Sequence, residues 1–203
     1  MRLADADLIP VDYSPQAEAI AKYEAELEKL LKDKQDEFAE RNLELEEGVF
    51  AALKDPHRPT IAPPAETVPP FMNFAPLKNS IELLKASAAR YSRAMASWRA
   101  KGSPVLPPSE LDALNSDLLR ISRLFLNPKG LPGRPWFKNQ IYAPGAYTGY
   151  DARPIAAVRE YMDEKKWKEA DAQVPQVSEV VANVASGIGK AADELGAAVA
   201  RGR

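Results

Sequence analysis

Seven apolar residues, Leu77, Ile81, Leu84, Ala88, Tyr91, Met95 and Trp98, step through the middle of the chain by three and four residues. That spacing matches the turn of an α-helix and gathers all seven on one side of it. A helix with so continuous a seam must bury it against other helices, in a bundle or a coiled coil. Aromatic side chains at this spacing read as core before they read as a cofactor pocket.

The flanking segments repeat the pattern. Ser14-Pro15 predicts a helix start, serine as N-cap and proline in the first turn. Ile20, Tyr23, Leu27, Leu30 and Leu31 then share a face. The Glu- and Lys-rich run from Lys22 to Glu47 reads as the solvated side of a long helix, with a bend or break after Asp36. Ser109 and Asp112 have capping-box spacing at the head of a third helix, whose apolar face is Leu111, Leu114, Leu118, Ile121 and Phe125. A short helix is expected from about Pro154, then a charged break at "DEKK". The last helix carries Val174, Val177, Val181, Val184, Ile188, Ala191 and Leu195. Pro175 should kink it or mark its first turn. Gly187, Gly189 and Gly196 lower its helicity and leave room for a close neighbour.

Residues 54–76 hold seven prolines and exclude regular helix, so they form an excursion, read as a packed connection. Four long helical patterns and no convincing strand ladder predict an all-α fold. The expected architecture is an antiparallel helical bundle of about four long helices, with a Pro-rich excursion and an aromatic, turn-rich loop.

Composition narrows the function. The chain has 203 residues, 45% hydrophobic and 28% charged, the balance of a soluble globular domain. A net charge of -2 provides no basic field, so nucleic acid is not an expected partner. No cysteine is present, which removes thiolate metal sites and cysteine nucleophiles. The single histidine, His57, lies in the Pro-rich excursion and is read as an exposed loop residue. Acidic pairs such as Asp5 and Asp7, or Asp163 and Glu164, lack the histidine partners that a bundle metal site needs, so no catalytic or metal residue is assigned. No apolar run approaches the roughly 20 residues that span a bilayer. Asp5 and Asp7 interrupt the place of a signal-peptide core. Localisation stays open, since a longer parent chain could be exported or anchored by an upstream segment.

The segment "GRPWFKNQIYAPGAYTGYDARP", Gly133 to Pro154, breaks the helical pattern. Trp136, Phe137 and Tyr142 are expected to plug the end of the bundle. Tyr142, Tyr147 and Tyr150 could each present a hydroxyl.

The longer stretch "LNPKGLPGRPWFKNQIYAPGAYTGYDARPIAAVREYMDEKKWKEA" resembles a known family, the transferrin-receptor-like dimerisation domain. This is the C-terminal helical domain of zinc peptidases like glutamate carboxypeptidase II (prostate-specific membrane antigen). The marks are Asn127-Pro128, Gly130-Leu131-Pro132, Arg134-Pro135-Trp136-Phe137, Ile141-Tyr142-Ala143-Pro144 and Trp167. "RLADADLIPVDY" is similar to the segment entering this domain from the peptidase core, and "PPFMNFAPLKNSIELLKASAARY" to its second helix.

The resemblance implies a division of the chain: an entry segment at 1–13, leading from a peptidase core that is missing here, and a helical dimerisation domain at 14–203. The excursion would span 54–76 and a substrate-facing loop 127–153. It implies a homodimer, contact with the parent's own peptidase core, no membrane contact by this segment, and no cofactor in this chain. The two zinc ions would belong to the missing core. In the family a Lys-Tyr pair after the I-Y-A-P motif binds the substrate's terminal glutamate, and the matching positions are Gly149 and Tyr150. Tyr150 retains a donor for a carboxylate. Gly149 removes the cation, which implies a broader carboxypeptidase or aminopeptidase preference. The alternative is a free-standing helical adaptor that binds another protein or a membrane surface, favoured only by the Ala/Gly-rich last helix.

Overall fold

Two of the long helices begin with one device. The computed structural model describes residues 7–52, 62–146, 149 and 151–201, the side chains of 51 and 52 apart. In Asp12-Tyr13-Ser14-Pro15, the Asp12 carboxylate accepts the Ser14 N–H at 3.0 Å. In Asn73-Phe74-Ala75-Pro76, the Asn73 amide oxygen accepts the Ala75 N–H at 3.1 Å. Each proline then stands in the first turn, where its missing N–H is no loss. Tyr13 and Phe74 are buried and pin both starts to the core. The Ser14 backbone N–H, and then its hydroxyl, hold the Asp12 carboxyl below its ordinary range. Ser14 is thus the first helical residue rather than the cap, and Pro76 opens a helix instead of closing the excursion.

The first helix, α1, runs over Ser14–Glu46 without interruption at Asp36. The break comes at Gly48, whose φ of 73° suits glycine, and a short α2 follows at Val49–Ala52. The charge run lies on the solvated side, with exposed ion pairs Lys29–Asp33 and Lys32–Asp36 at four-residue spacing. His57 lies outside the described residues. From 62 to 74 the chain has no regular secondary structure and packs on α1. The Asn42 side chain holds both the N–H and the carbonyl of Glu66, at 2.9 and 2.6 Å. Gln35 donates to the Pro69 carbonyl at 3.1 Å. This part of the excursion is a packed connection.

All seven residues of the central seam are buried in α3, Ala75–Ala100. α4 covers Pro108–Ile121 and tightens into a 3₁₀ turn at Ser122–Phe125. Ser109 makes no capping hydrogen bond there; Pro107 stands at the cap, so the capping box does not form. A short α5, Ala156–Asp163, precedes α6, Trp167–Arg201. Pro175 sits inside α6 beyond its first turn.

Consecutive long helices alternate in direction. Lys78 of α3 meets Glu28 of α1, and Ser92 meets Ser14. Asp117 of α4 meets Lys190 of α6, and Glu110 meets Arg201. Both seams are antiparallel. The bundle's largest seam joins α3 to α6, and there the two helices run parallel. Ser178 donates to the Pro76 carbonyl near one end, and Lys101 donates to the Val199 carbonyl at the other. α4 serves as the return stroke that makes this possible. Its end and the 3₁₀ turn pack closely on α6: a Cβ on Gly187 would lie 3.4 Å from Ile121 Cγ1 and 2.8 Å from Leu124 Cδ1.

Among the described residues the only sheet is one small hairpin that the sequence reading did not expect. β1, Tyr142–Pro144, pairs antiparallel with β2, Ala152–Pro154, in the aromatic loop.

Candidate functional site

The loop between α4 and α5 is built from turns that only particular residues can make. Gly130 has φ 70°, and a Cβ there would stand 2.3 Å from the Pro135 carbonyl oxygen. No side chain fits that position. Around it, Leu131 N–H reaches the Phe137 carbonyl and Asn127 N–H the Lys138 carbonyl, at 2.9 and 2.8 Å. The Asn139 side chain then accepts the N–H groups of Ile141 and Tyr142, both at 2.9 Å, and aims the chain into β1.

One ion pair ties the loop to the bundle. Arg134 donates to both carboxylate oxygens of Glu160 on α5, at 2.5 and 2.7 Å, and its other terminal nitrogen donates to the Pro144 carbonyl at 2.6 Å. Glu160 also accepts the Ala146 N–H at 3.0 Å. The guanidinium lies over the Phe137 ring. The end of β1 and the first residues beyond it are therefore held by two side chains 26 positions apart in sequence. A cavity of about 400 Å³ opens beside them, walled by Trp136, Ala146, Glu160 and Tyr161 among others.

The aromatic residues do not act as one plug. Trp136 is 68% exposed. Tyr142 is 39% exposed and stands edge-on to Tyr23 of α1, to whose hydroxyl it donates at 3.2 Å. Burial first, then that hydrogen bond, pushes the Tyr142 hydroxyl up to about 12. Phe137 is half-buried against Leu131, Ala143, Ala156 and Ala157. Ile141 and Ile155 close the end of the main core. The signal for these was the alternation in Ile141-Tyr142-Ala143-Pro144, which sends Ile141 and Ala143 inward. Pro144 stands half-buried in β1 and contributes its carbonyl to Arg134. Ile155 adopts φ 51°, unfavourable for a β-branched residue by about 1–2 kcal/mol, and full burial of its side chain holds it there.

Beyond β1, Gly145 N–H bonds the Asp151 carbonyl at 2.8 Å and Gly149 N–H bonds the Gly145 carbonyl at 3.1 Å. Gly149 has φ 67° and is exposed, with nothing near the place of a Cβ. Tyr147 and Tyr150 lie outside the described residues. Among the described residues, no group of three or more His, Asp or Glu side chains is placed to hold a metal ion. No described helix is long and apolar enough to cross a membrane.

Residues 72–189 match the family model of the transferrin receptor-like dimerisation domain. The match starts just ahead of α3 and ends well inside α6, taking in the loop and the hairpin. The chain is also similar to a probable glutamate carboxypeptidase of Arabidopsis thaliana, with 24% identity over 188 residues. That alignment takes in 89% of this chain and 21% of the plant protein, so the chain spans about a fifth of its relative's length. With more than half of its residues matched, the chain belongs to the transferrin receptor-like dimerisation domain family.

Proposed function

We propose that this helical unit pairs two copies of a longer glutamate carboxypeptidase-like zinc peptidase and lends that parent a loop at its substrate pocket. The observation that carries the reading is the family match, which runs from α3 through most of α6. In this reading the chain contributes packing surface and holds no catalytic metal. The two zinc ions and the general base belong to a core domain of the parent, and residues 1–13 lead in from that core.

Residues 145–151 are the portion assigned to the parent's pocket. Their first residues, Gly145 and Ala146, follow directly on the Arg134–Glu160 clamp, which holds the Ala146 N–H and the Pro144 carbonyl. With glycine at 149, the loop presents no cation beside Tyr150, which favours substrates lacking an acidic terminal side chain. Sedimentation of the purified chain tests the pairing, and a concentration-dependent dimer is the expected result. Assays of the full-length parent test the loop: Tyr150→Phe should raise KM for peptides with a free terminal carboxylate, and an unchanged KM removes the loop from the pocket.

A further inference from the structure

The seam with α3 is only one of the two stripes that α6 carries. On its outer face, bounded by α3 on one side and the turn that ends α4 on the other, Gln176, Glu179, Asn183, Ser186, Lys190 and Asp193 recur by three and four residues, and all are exposed. That is the register a second long helix can follow. A polar ridge alone would be an ordinary solvated face. This one has apolar flanks. Leu83 of α3, 59% exposed, shares a groove of about 540 Å³ with Ala182 and Ser186 on one side of the ridge. On the other side Leu124 and Leu126, 36% and 44% exposed, share a groove of about 390 Å³ with Glu179 and Asn183. Side chains at the middle of the ridge are short, which permits close approach of another helix.

The ridge is also complementary to itself. Turned about a two-fold axis between Asn183 and Ser186, it sets Glu179 against the partner's Lys190. Asn183 then faces the partner's Ser186, and Gln176 faces the partner's Asp193. Sliding the axis by one turn loses this match. Toward the C-terminus, Lys190 meets a serine and Asp193 an asparagine. Toward the N-terminus, Asp193 meets Glu169. Within one chain Lys190 bonds Asp117 at 2.7 Å and Glu194 at 3.4 Å, and Asp193 pairs with Arg90 of α3. These are surface pairs of the kind that contribute little, so Lys190 can turn to a third carboxylate, and Asp193 can keep Arg90 while accepting from the partner's Gln176.

We infer that the outer ridge of α6, between Leu83 on one flank and Leu124 and Leu126 on the other, is the surface on which a second copy of this chain docks, α6 antiparallel to α6. The inference rests on the homodimer reading and supplies its interface, an isologous one. Sedimentation of the wild-type chain and three variants tests it, with circular dichroism to check that each keeps its helices. Ser186→Trp and Lys190→Glu should each weaken the dimer by about tenfold or more, and the exchange Glu179→Lys with Lys190→Glu should recover most of the loss. A Ser186→Trp dimer as tight as wild type overturns this surface and leaves homodimerisation standing. A wild-type chain that stays monomeric at every concentration overturns the homodimer reading itself, and the surface with it.

Discussion

Along the α3–α6 seam, Leu77, Leu84, Val177 and Val181 pack apolar side against apolar side, each almost fully buried. Between Asn127 and Ala146 the chain is held instead by a glycine with no room for a Cβ, two asparagine side chains and the Arg134–Glu160 ion pair. The seam draws on many interchangeable contacts, each small. The loop draws on few contacts, each tied to one residue type. A seam of the first kind tolerates changes of shape at constant volume, whereas a loop of the second kind should fail at single positions. That difference suits the proposed division of labour, in which the helices pair copies and the loop serves the parent's pocket.

The largest effect is expected at Gly130→Ala. A Cβ would overlap the Pro135 carbonyl and the backbone would be strained at φ 70°, a loss of about 3 kcal/mol or more in chemical denaturation. Next is Glu160→Gln, which leaves the half-buried Arg134 charge without its partner. A loss of about 2 kcal/mol is expected, with faster amide exchange at Ala146 while α3 and α6 stay protected. On the seam, Leu84→Met should cost less than about 1.5 kcal/mol, although Leu84 is far more buried than Arg134. A cost there above that of Glu160→Gln would break the comparison.

The smallest effect is a gain. Glu24, buried on α1, has its carboxyl pushed above the ordinary range by burial and then by Glu28, against the opposing charges of Lys78 and Lys85. A carboxyl whose folded pKa is raised binds protons more readily in the native state, so its ionisation destabilises the fold as pH rises. Glu24→Gln should therefore be more stable than wild type at pH 7, by less than any of the losses above. The gain should shrink as pH falls through the carboxylate range, and a gain that grows toward acid would reverse this assignment.

The helices were legible because their signal is local. The stripe from Leu77 to Trp98 and that from Val174 to Leu195 bury as their spacing requires. A break somewhere after Asp36 was legible, and the structure puts it at Gly48. The starts of α1 and α3 were misplaced by one or two residues, because the oxygens that serve them belong to Asp12 and Asn73, upstream of the expected starts. The loop was legible as a loop but not in its shape. Trp136 is left exposed, and Arg134, unremarkable in sequence, holds the turn. Nothing local to residue 134 announces Glu160.

Periodicity is a property of neighbouring residues, so the sequence by itself determined that this chain forms long helices with apolar seams, interrupted by a Pro-rich connection and an aromatic loop. The motif "GRPWFKNQIYAP" likewise placed it in its family. Only the tertiary structure decided that α3 and α6 lie side by side in parallel, that Glu24 is buried, and that Arg134 reaches Glu160. Each of these depends on which segments, distant in the chain, come to share a surface. That choice is made by the packing of the whole core rather than by the preference of any one residue.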